Sequence, residues 1–242
     1  MWHDQHDQSV LAKKMGAFID LSDRELAHLA QLQSPRVRVA SGRELVREGQ
    51  TGEIAHILHV GWACCFKLLP DGGRQIITFP LPGDFVGLRS MLLRTSDHSF
   101  STLTDAIVTR VDAFNMKQIF SELPRLGAAI LWATSRDEAM VVEHLVSIGR
   151  RSAIERTAHF LLELYDRLNL VGLASGDEFI CPLSQNVLGD ALGLSAVHVN
   201  RVLRQLRERR LLTFKDRLIT IHDPTALKTL AGYESPEGGT IL

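Results

Sequence analysis

Asn200, Arg201 and Arg204 are the side chains whose type and spacing point most directly to chemistry. With Ala196 and Val197 they recur at helical intervals, which places them on one outward face of a helix. An arginine can donate two parallel hydrogen bonds to guanine O6 and N7, and an asparagine can exchange a pair with adenine N6 and N7. Ser195, Ala196, Val197 and His198 form the opening turn of this helix, and Lys215 and Arg217 follow downstream as cations suited to phosphate. From Ser195 to Arg217, seven basic residues stand against Glu208 and Asp216, a local net charge of +5 in a chain whose overall charge is −1. Residues 1–149 carry a net −2, so the positive charge is concentrated rather than spread. Such concentration is the footprint of a polyanion-binding surface, and alone it is equally the pattern of a solvated helix face. The surrounding sequence decides between them.

Ser184 is placed to cap a helix whose inner face holds Val187, Leu188, Ala191 and Leu192, with Gly189 where another segment can approach closely. Gly193 supplies a turn, Leu194 points inward, and Ser195 caps a second helix with Val199, Val202, Leu203 and Leu206 at i, i+3, i+4 and i+7. Two helices joined by a short glycine turn, the second carrying Asn and Arg near its start, predict a helix-turn-helix for the major groove of double-stranded DNA. Leu211–Phe214 and Leu218–Ile221 are β-like runs around Lys215-Asp216-Arg217, which predicts a wing with two cations at its tip.

The upstream sequence must position this motif. At 242 residues and 27.0 kDa, with 45% hydrophobic and 23% charged residues, the chain is an ordered protein of one or two domains. Residues 1–20 read as an arm with a short amphipathic segment, Val10 to Phe18, and a capped helix follows from about Ser22 to Leu32. Between Val37 and Val111, short apolar runs alternate with glycine turns, and Asp71-Gly72 marks a hairpin, so a small β-sandwich or barrel is expected. From Leu126 to Ile148, Ile130, Ala133, Met140, Val141, His144, Leu145 and Ile148 recur at helical spacing in a helix longer than one small domain needs. These residues are therefore expected to pair two chains. Gly149 to Ser152 reads as a hinge, Ala153 to Leu168 as another helix, and Gly172 to Asp177 as a loop. The expected units are residues 1–20, 21–124, 125–148 and 149–242.

The segments GRELVREGQTGEIAHILHVG, DGGRQI, LPGDFVG and LGDALGLSAVHVNRVLRQLRERRLL, in this order, resemble the Crp/Fnr family of bacterial transcription regulators over about Leu21 to Asp223. The resemblance implies an α+β chain with a cyclic-nucleotide-binding-like β-roll, a long dimerisation helix and a C-terminal winged helix-turn-helix. It also implies a cytoplasmic homodimer on a pseudo-palindromic operator, with RNA polymerase as a partner if the protein activates. Four departures matter. Leu88 stands where cyclic-AMP-binding members have a glutamate, and Ser96 to Ser101 contains no arginine for a cyclic phosphate. The N-terminal segment lacks the cysteines of the iron–sulfur branch, and Val197 replaces the recognition helix's usual glutamate while Arg201 is kept.

Three cysteines provide neither a disulfide framework nor a four-ligand zinc site. Cys64 and Cys65 are neighbours on a strand and should face opposite sides. Cys181, three residues before the cap Ser184, is a candidate redox thiol, since a helix N-terminus and basic surroundings lower a thiol pKa. Core packing is its alternative role. His3 and His6 fall on the arm, His56 and His59 face opposite sides of a strand, and no metal or cofactor is expected. Trp62, Phe85 and Trp132 are expected as core or interface anchors. No secretory leader, membrane-spanning stretch, GxSxG, GxGxxG, phosphate-loop or HExxH pattern is present, so neither an enzyme nor a membrane protein is expected. The rival reading is a nucleotide-binding signalling module whose basic tail is incidental.

Overall fold

The computed structural model describes residues 9–51, 54–93 and 95–235, so His3 and His6 lie outside the described residues. Helix α1 (Val10–Gly16) is capped by Ser9, and α2 (Asp23–Leu32) opens with a reciprocal Ser22–Glu25 cap. The strands that follow are β1 (Val37–Val39), β2 (Glu44–Val46), β3 (Ile54–Val60), β4 (Ala63–Leu68), β5 (Arg74–Thr78), β6 (Phe85–Val86), β7 (Ser99–Thr102) and β8 (Ala106–Asp112). They form two antiparallel sheets in the orders β1-β8-β3-β6 and β2-β7-β4-β5. The two sheets face each other across Leu58, Ala63, Ala106 and Val108 at one end and Val46, Cys65, Val86 and Phe100 at the other. The Asp71-Gly72 turn joins β4 to β5, with Gly72 at a positive φ.

Two helices within this unit were not anticipated from sequence, α3 (Leu88–Leu93) and α4 (Ala113–Glu122). The signal for α4 is Asp112, which caps it reciprocally with Asn115.

Both sheets also bury their outer faces. Ile57 and Val111, on the first sheet, lie under α1, α2, α4 and the start of α5 (Pro124–Arg150), in one core with Leu11, Met15, Ile19 and Leu126. The described part of the expected arm thus contains a docked helix, and Phe18 stacks on Trp132 with ring centroids 5.2 Å apart. Trp62, Cys64, Phe66, Ile76 and Phe79, on the second sheet, join the core of the C-terminal domain, where Phe79 meets Phe160 at 5.6 Å. Cys64 and Cys65 do face opposite sides, yet both are buried because the C-terminal domain covers the outer face.

Helix α5, at 27 residues, is about 40 Å long at 1.5 Å per residue. After Arg151, Ser152 and Glu155 cap α6 (Ala153–Leu170) reciprocally. The expected loop at 172–177 contains β9 (Ala174–Ser175) and leads into β10 (Glu178–Ile180). Next come α7 (Gln185–Leu192), α8 (Ala196–Glu208), β11 (Leu212–Lys215), β12 (Leu218–Ile221) and α9 (Pro224–Ala231), with a sheet in the order β11-β12-β10-β9. Among the described residues, no helix is long and apolar enough to cross a membrane.

Candidate nucleic-acid interface

Helices α7 and α8 form the predicted pair. Ser184 Oγ accepts from the Val187 N–H at 3.3 Å, and Ser195 Oγ accepts from the His198 N–H at 3.2 Å, so each helix starts on a side-chain cap. Gly193 adopts φ 63°, the left-handed conformation that favours glycine at a helix end. A Cβ on Gly189 would collide with the Leu194 carbonyl, so the turn folds back onto α7 only because that side chain is absent. Val199, Val202 and Leu206 are buried against the domain core.

Burying that stripe turns the opposite face of α8 to solvent. Val197 is 80% exposed, and Asn200, Arg201 and Arg204 are exposed beside it. Ser195 is exposed at the cap, whereas Ala196 and His198 are half-buried at the edge of the face. Asn200 Nδ2 donates to Gln185 Oε1 at 3.4 Å, and Arg204 Nε pairs with Glu208 at 3.1 Å across one helical turn. Gln185 is the residue that sequence reasoning missed; its place directly after the cap Ser184 is the signal that it faces the next helix's start.

The wing forms as a two-residue hairpin in which Lys215 pairs with Leu218. Asp216 and Arg217 sit at φ 52° and 64°, a turn normally built with Asn or Gly. Lys215 and Arg217 are exposed at its tip. The wing turn is tied to the domain by the Cys181 N–H, which donates to the Arg217 carbonyl at 2.8 Å.

Cys181 itself corrects the redox expectation. Its side chain is fully buried in the domain core, and burial pushes the thiol up to about 12. A reactive cysteine needs the opposite, an accessible thiol with a lowered pKa. Nearness in sequence to the cap of α7 does not place its sulfur at that helix end.

The expected dimerisation residues divide. Ile130 and Ala133 are buried in the N-terminal core of their own chain, which removes them from any surface. Met140 is half-buried, and His144 turns inward, with Nδ1 2.9 Å from the Ile77 carbonyl oxygen and Nε2 2.8 Å from Glu163 Oε2. Val141, Leu145 and Ile148 remain exposed, as do Leu131, Val142 and Val146.

Residues 96–101 of the β-roll are held by apolar packing and local hydrogen bonds. Phe100 is buried with Cys65 and Val86, Ser99 Oγ accepts from the Glu48 N–H, and Leu88 packs toward the helical core. His56 and His59 are buried enough that each is pushed down to about 4, which keeps both neutral at neutral pH.

Comparison with known proteins gives this geometry a family. Residues 36–122 match the cyclic nucleotide-binding domain and residues 155–230 match the Crp-like helix-turn-helix domain. The chain is 33% identical to a nitrogen fixation regulation protein FixK of Rhizobium meliloti over 85% of this chain and 93% of that protein. It is 32% identical to the protein of the same name from Bradyrhizobium diazoefficiens over 86% of this chain and 85% of that one. Among solved structures, FixK2 from Bradyrhizobium japonicum superposes with a TM-score of 0.72 at 29% identity, covering 81% of this chain and 96% of that one. A β-roll matched to one domain, a helix-turn-helix matched to the other and regulators aligned over most of their length agree: the chain belongs to the Crp/Fnr family of transcription regulators.

Proposed function

We propose that two copies of this chain pair along the exposed side of α5 and insert their α8 helices into successive major grooves of one duplex. The observation that carries the reading is the solvent-facing row Val197, Asn200, Arg201 and Arg204, flanked by the wing cations Lys215 and Arg217. Arg201 reads a guanine, Asn200 an adenine and Val197 a thymine methyl, while Ser195, Ala196 and His198 approach the backbone at the helix start. Lys215 and Arg217 contact phosphate from the wing. Val141, Leu145 and Ile148 supply the dimer contact, and two-fold symmetry then demands half-sites one helical turn apart.

The protein acts in the cytoplasm, where its DNA is, and RNA polymerase is its partner at promoters it activates. Cyclic AMP is not the signal, because the sensor lacks the arginine and glutamate that would hold the phosphate and ribose. The test is Arg201→Ala against a panel of operators differing at single base pairs. Affinity should fall by about 1–3 kcal/mol for the cognate site, with preference relaxed at one position. A uniform loss over every sequence would make Arg201 a phosphate contact instead.

A further inference from the structure

A chain of buried charges runs from the N-terminal helix through the sensor to the DNA-binding domain. Lys14 of α1 places Nζ 2.5 Å from Asp84 Oδ1, and Asp137 Oδ1 of α5 lies 3.9 Å from the same nitrogen. Asp84 sits in the turn before β6, and its other oxygen accepts from the Leu81 N–H and from Arg167 Nη2 of α6, both at 2.8 Å. Arg167 Nη2 also donates to the Phe79 carbonyl at 2.7 Å, while Nη1 lies 3.6 Å from Glu163. Glu163 in turn meets His144 of α5. The side chains of Lys14, Asp84, Arg167 and Glu163 are each 7–12% exposed. Charges so far from water are tolerated only while paired, so each holds its neighbour in place.

A second contact brings α1 to the same turn. Gly83, directly before Asp84, has φ 94°, and a Cβ there would lie 2.9 Å from the Val10 carbonyl oxygen of α1. The Asp84 turn is therefore seated against the helix through backbone on one side and through Lys14 on the other. Its carboxylate is divided between two domains, one oxygen for the cation of α1 and the other for the cation of α6.

We propose that α1, through Lys14, is a positioning element for DNA binding, fixing Asp84, which fixes Arg167 and with it the orientation of α6 and the helices it carries. In the docked orientation Val197, Asn200, Arg201 and Arg204 of α8 are exposed, which is what a binding-ready orientation requires. Without Lys14, Asp84 Oδ1 loses its near partner, the carboxylate is free to rotate toward Arg167, and α6 loses a fixed reference on the sensor. The proposal rests on the DNA-binding reading, and its test separates the two.

The test compares native protein, Lys14→Met and Lys14→Arg as full chains, by operator affinity, non-specific DNA affinity, thermal unfolding and amide hydrogen exchange. Lys14→Met should fold cooperatively, bind operator at least tenfold more weakly, bind non-specific DNA as before, and exchange faster in α6 and in residues 79–84 but not in α8. Lys14→Arg should restore operator affinity, which simple loss of packing at α1 would not predict. If Lys14→Met does not fold, Lys14→Gln, which keeps a donor for Asp84, carries the same comparison, with partial loss expected. A folded Lys14→Met or Lys14→Gln protein with native operator affinity and native exchange overturns the proposal, as does tighter binding. Failure of native protein to prefer any operator would count against the DNA-binding reading itself.

Discussion

The two halves of α5 have similar apolar content and opposite fates. In the first half, Leu126, Ala129, Ile130 and Ala133 are buried in the sensor core of their own chain, and only Leu131, 61% exposed, stands out. In the second half, Val142 and Leu145 are 55% and 72% exposed, with Val141, Val146 and Ile148 beside them, and the side chains that turn inward are those of His144 and Ser147. One period of apolar residues thus serves two partners in succession, first the chain's own sheet and then a surface the single chain leaves open. A helix that is apolar on one stripe says that something covers it; only the packing of neighbouring elements says what.

The sharpest way to break this contrast is to truncate one side chain in each half. Leu145→Ala should weaken self-association by about 2–5 kcal/mol, or about 30-fold to several thousand-fold, while leaving unfolding of the sensor core nearly unchanged. Ile130→Ala should cost about 2–5 kcal/mol of folding stability and leave the intrinsic pairing surface intact. Sedimentation equilibrium and denaturant unfolding on the same samples read both quantities. Exchange of the two phenotypes would mean that the faces have been assigned backwards.

Acid and base should separate the β-roll from the second half of α5 more gently. His56 and His59 in the sensor are pushed down to about 4 by burial, with Arg110 and Arg36 adding repulsion. A depressed pKa contributes stability that is full above the unfolded value near 6.5 and is lost as pH falls toward 4. His144 has the opposite sign. Burial lowers its pKa, but the bond and charge of Glu163 together with the Ile77 carbonyl outweigh burial and raise it. Its contribution is full below 6.5 and is lost as pH rises through the raised value. Stability measured against pH should therefore decline on the acid side through the sensor, and His144→Gln should flatten the decline on the alkaline side. An unchanged alkaline limb in His144→Gln would remove His144 as a titrating tether.

The smallest expected effect is at the wing. Arg217 holds φ 64°, where glycine is unstrained. Arg217→Gly should stabilise the isolated hairpin by roughly 1 kcal/mol while reducing the salt dependence of DNA binding by about one phosphate contact. A stability gain with an unchanged salt slope would take Arg217 off the DNA backbone.

Much of the C-terminal domain was legible in sequence because its signals are local. The caps Ser184 and Ser195, the Gly193 turn and the apolar spacing from Val199 to Leu206 all act within a few residues, and α7 and α8 fall where they predict. The wing strands are Leu212–Lys215 and Leu218–Ile221, the second as expected and the first displaced by one residue from the expected Leu211–Phe214. What sequence did not disclose depends on distant partners. Cys181 was placed by its neighbours in sequence at a helix end, whereas its side chain is set by the domain core. Ile130 and Leu131 are adjacent residues with opposite exposure, and only the position of the β-roll distinguishes them. Lys14 and Asp84 are 70 residues apart, and Asp84 and Arg167 are 83 apart, so no local pattern marks them as one cluster.

The central claim is that this regulator reads DNA as a symmetric pair through α8. Selection of bound duplexes from a random library by native protein and by Arg201→Ala, at one fixed moderate salt concentration, tests it most directly. The account predicts that native protein enriches two inverted half-sites with centres about one helical turn apart, and that Arg201→Ala loses preference at the same base pair in both halves. Enrichment of a single, non-repeated site, or an identical enriched sequence for both proteins, would contradict it.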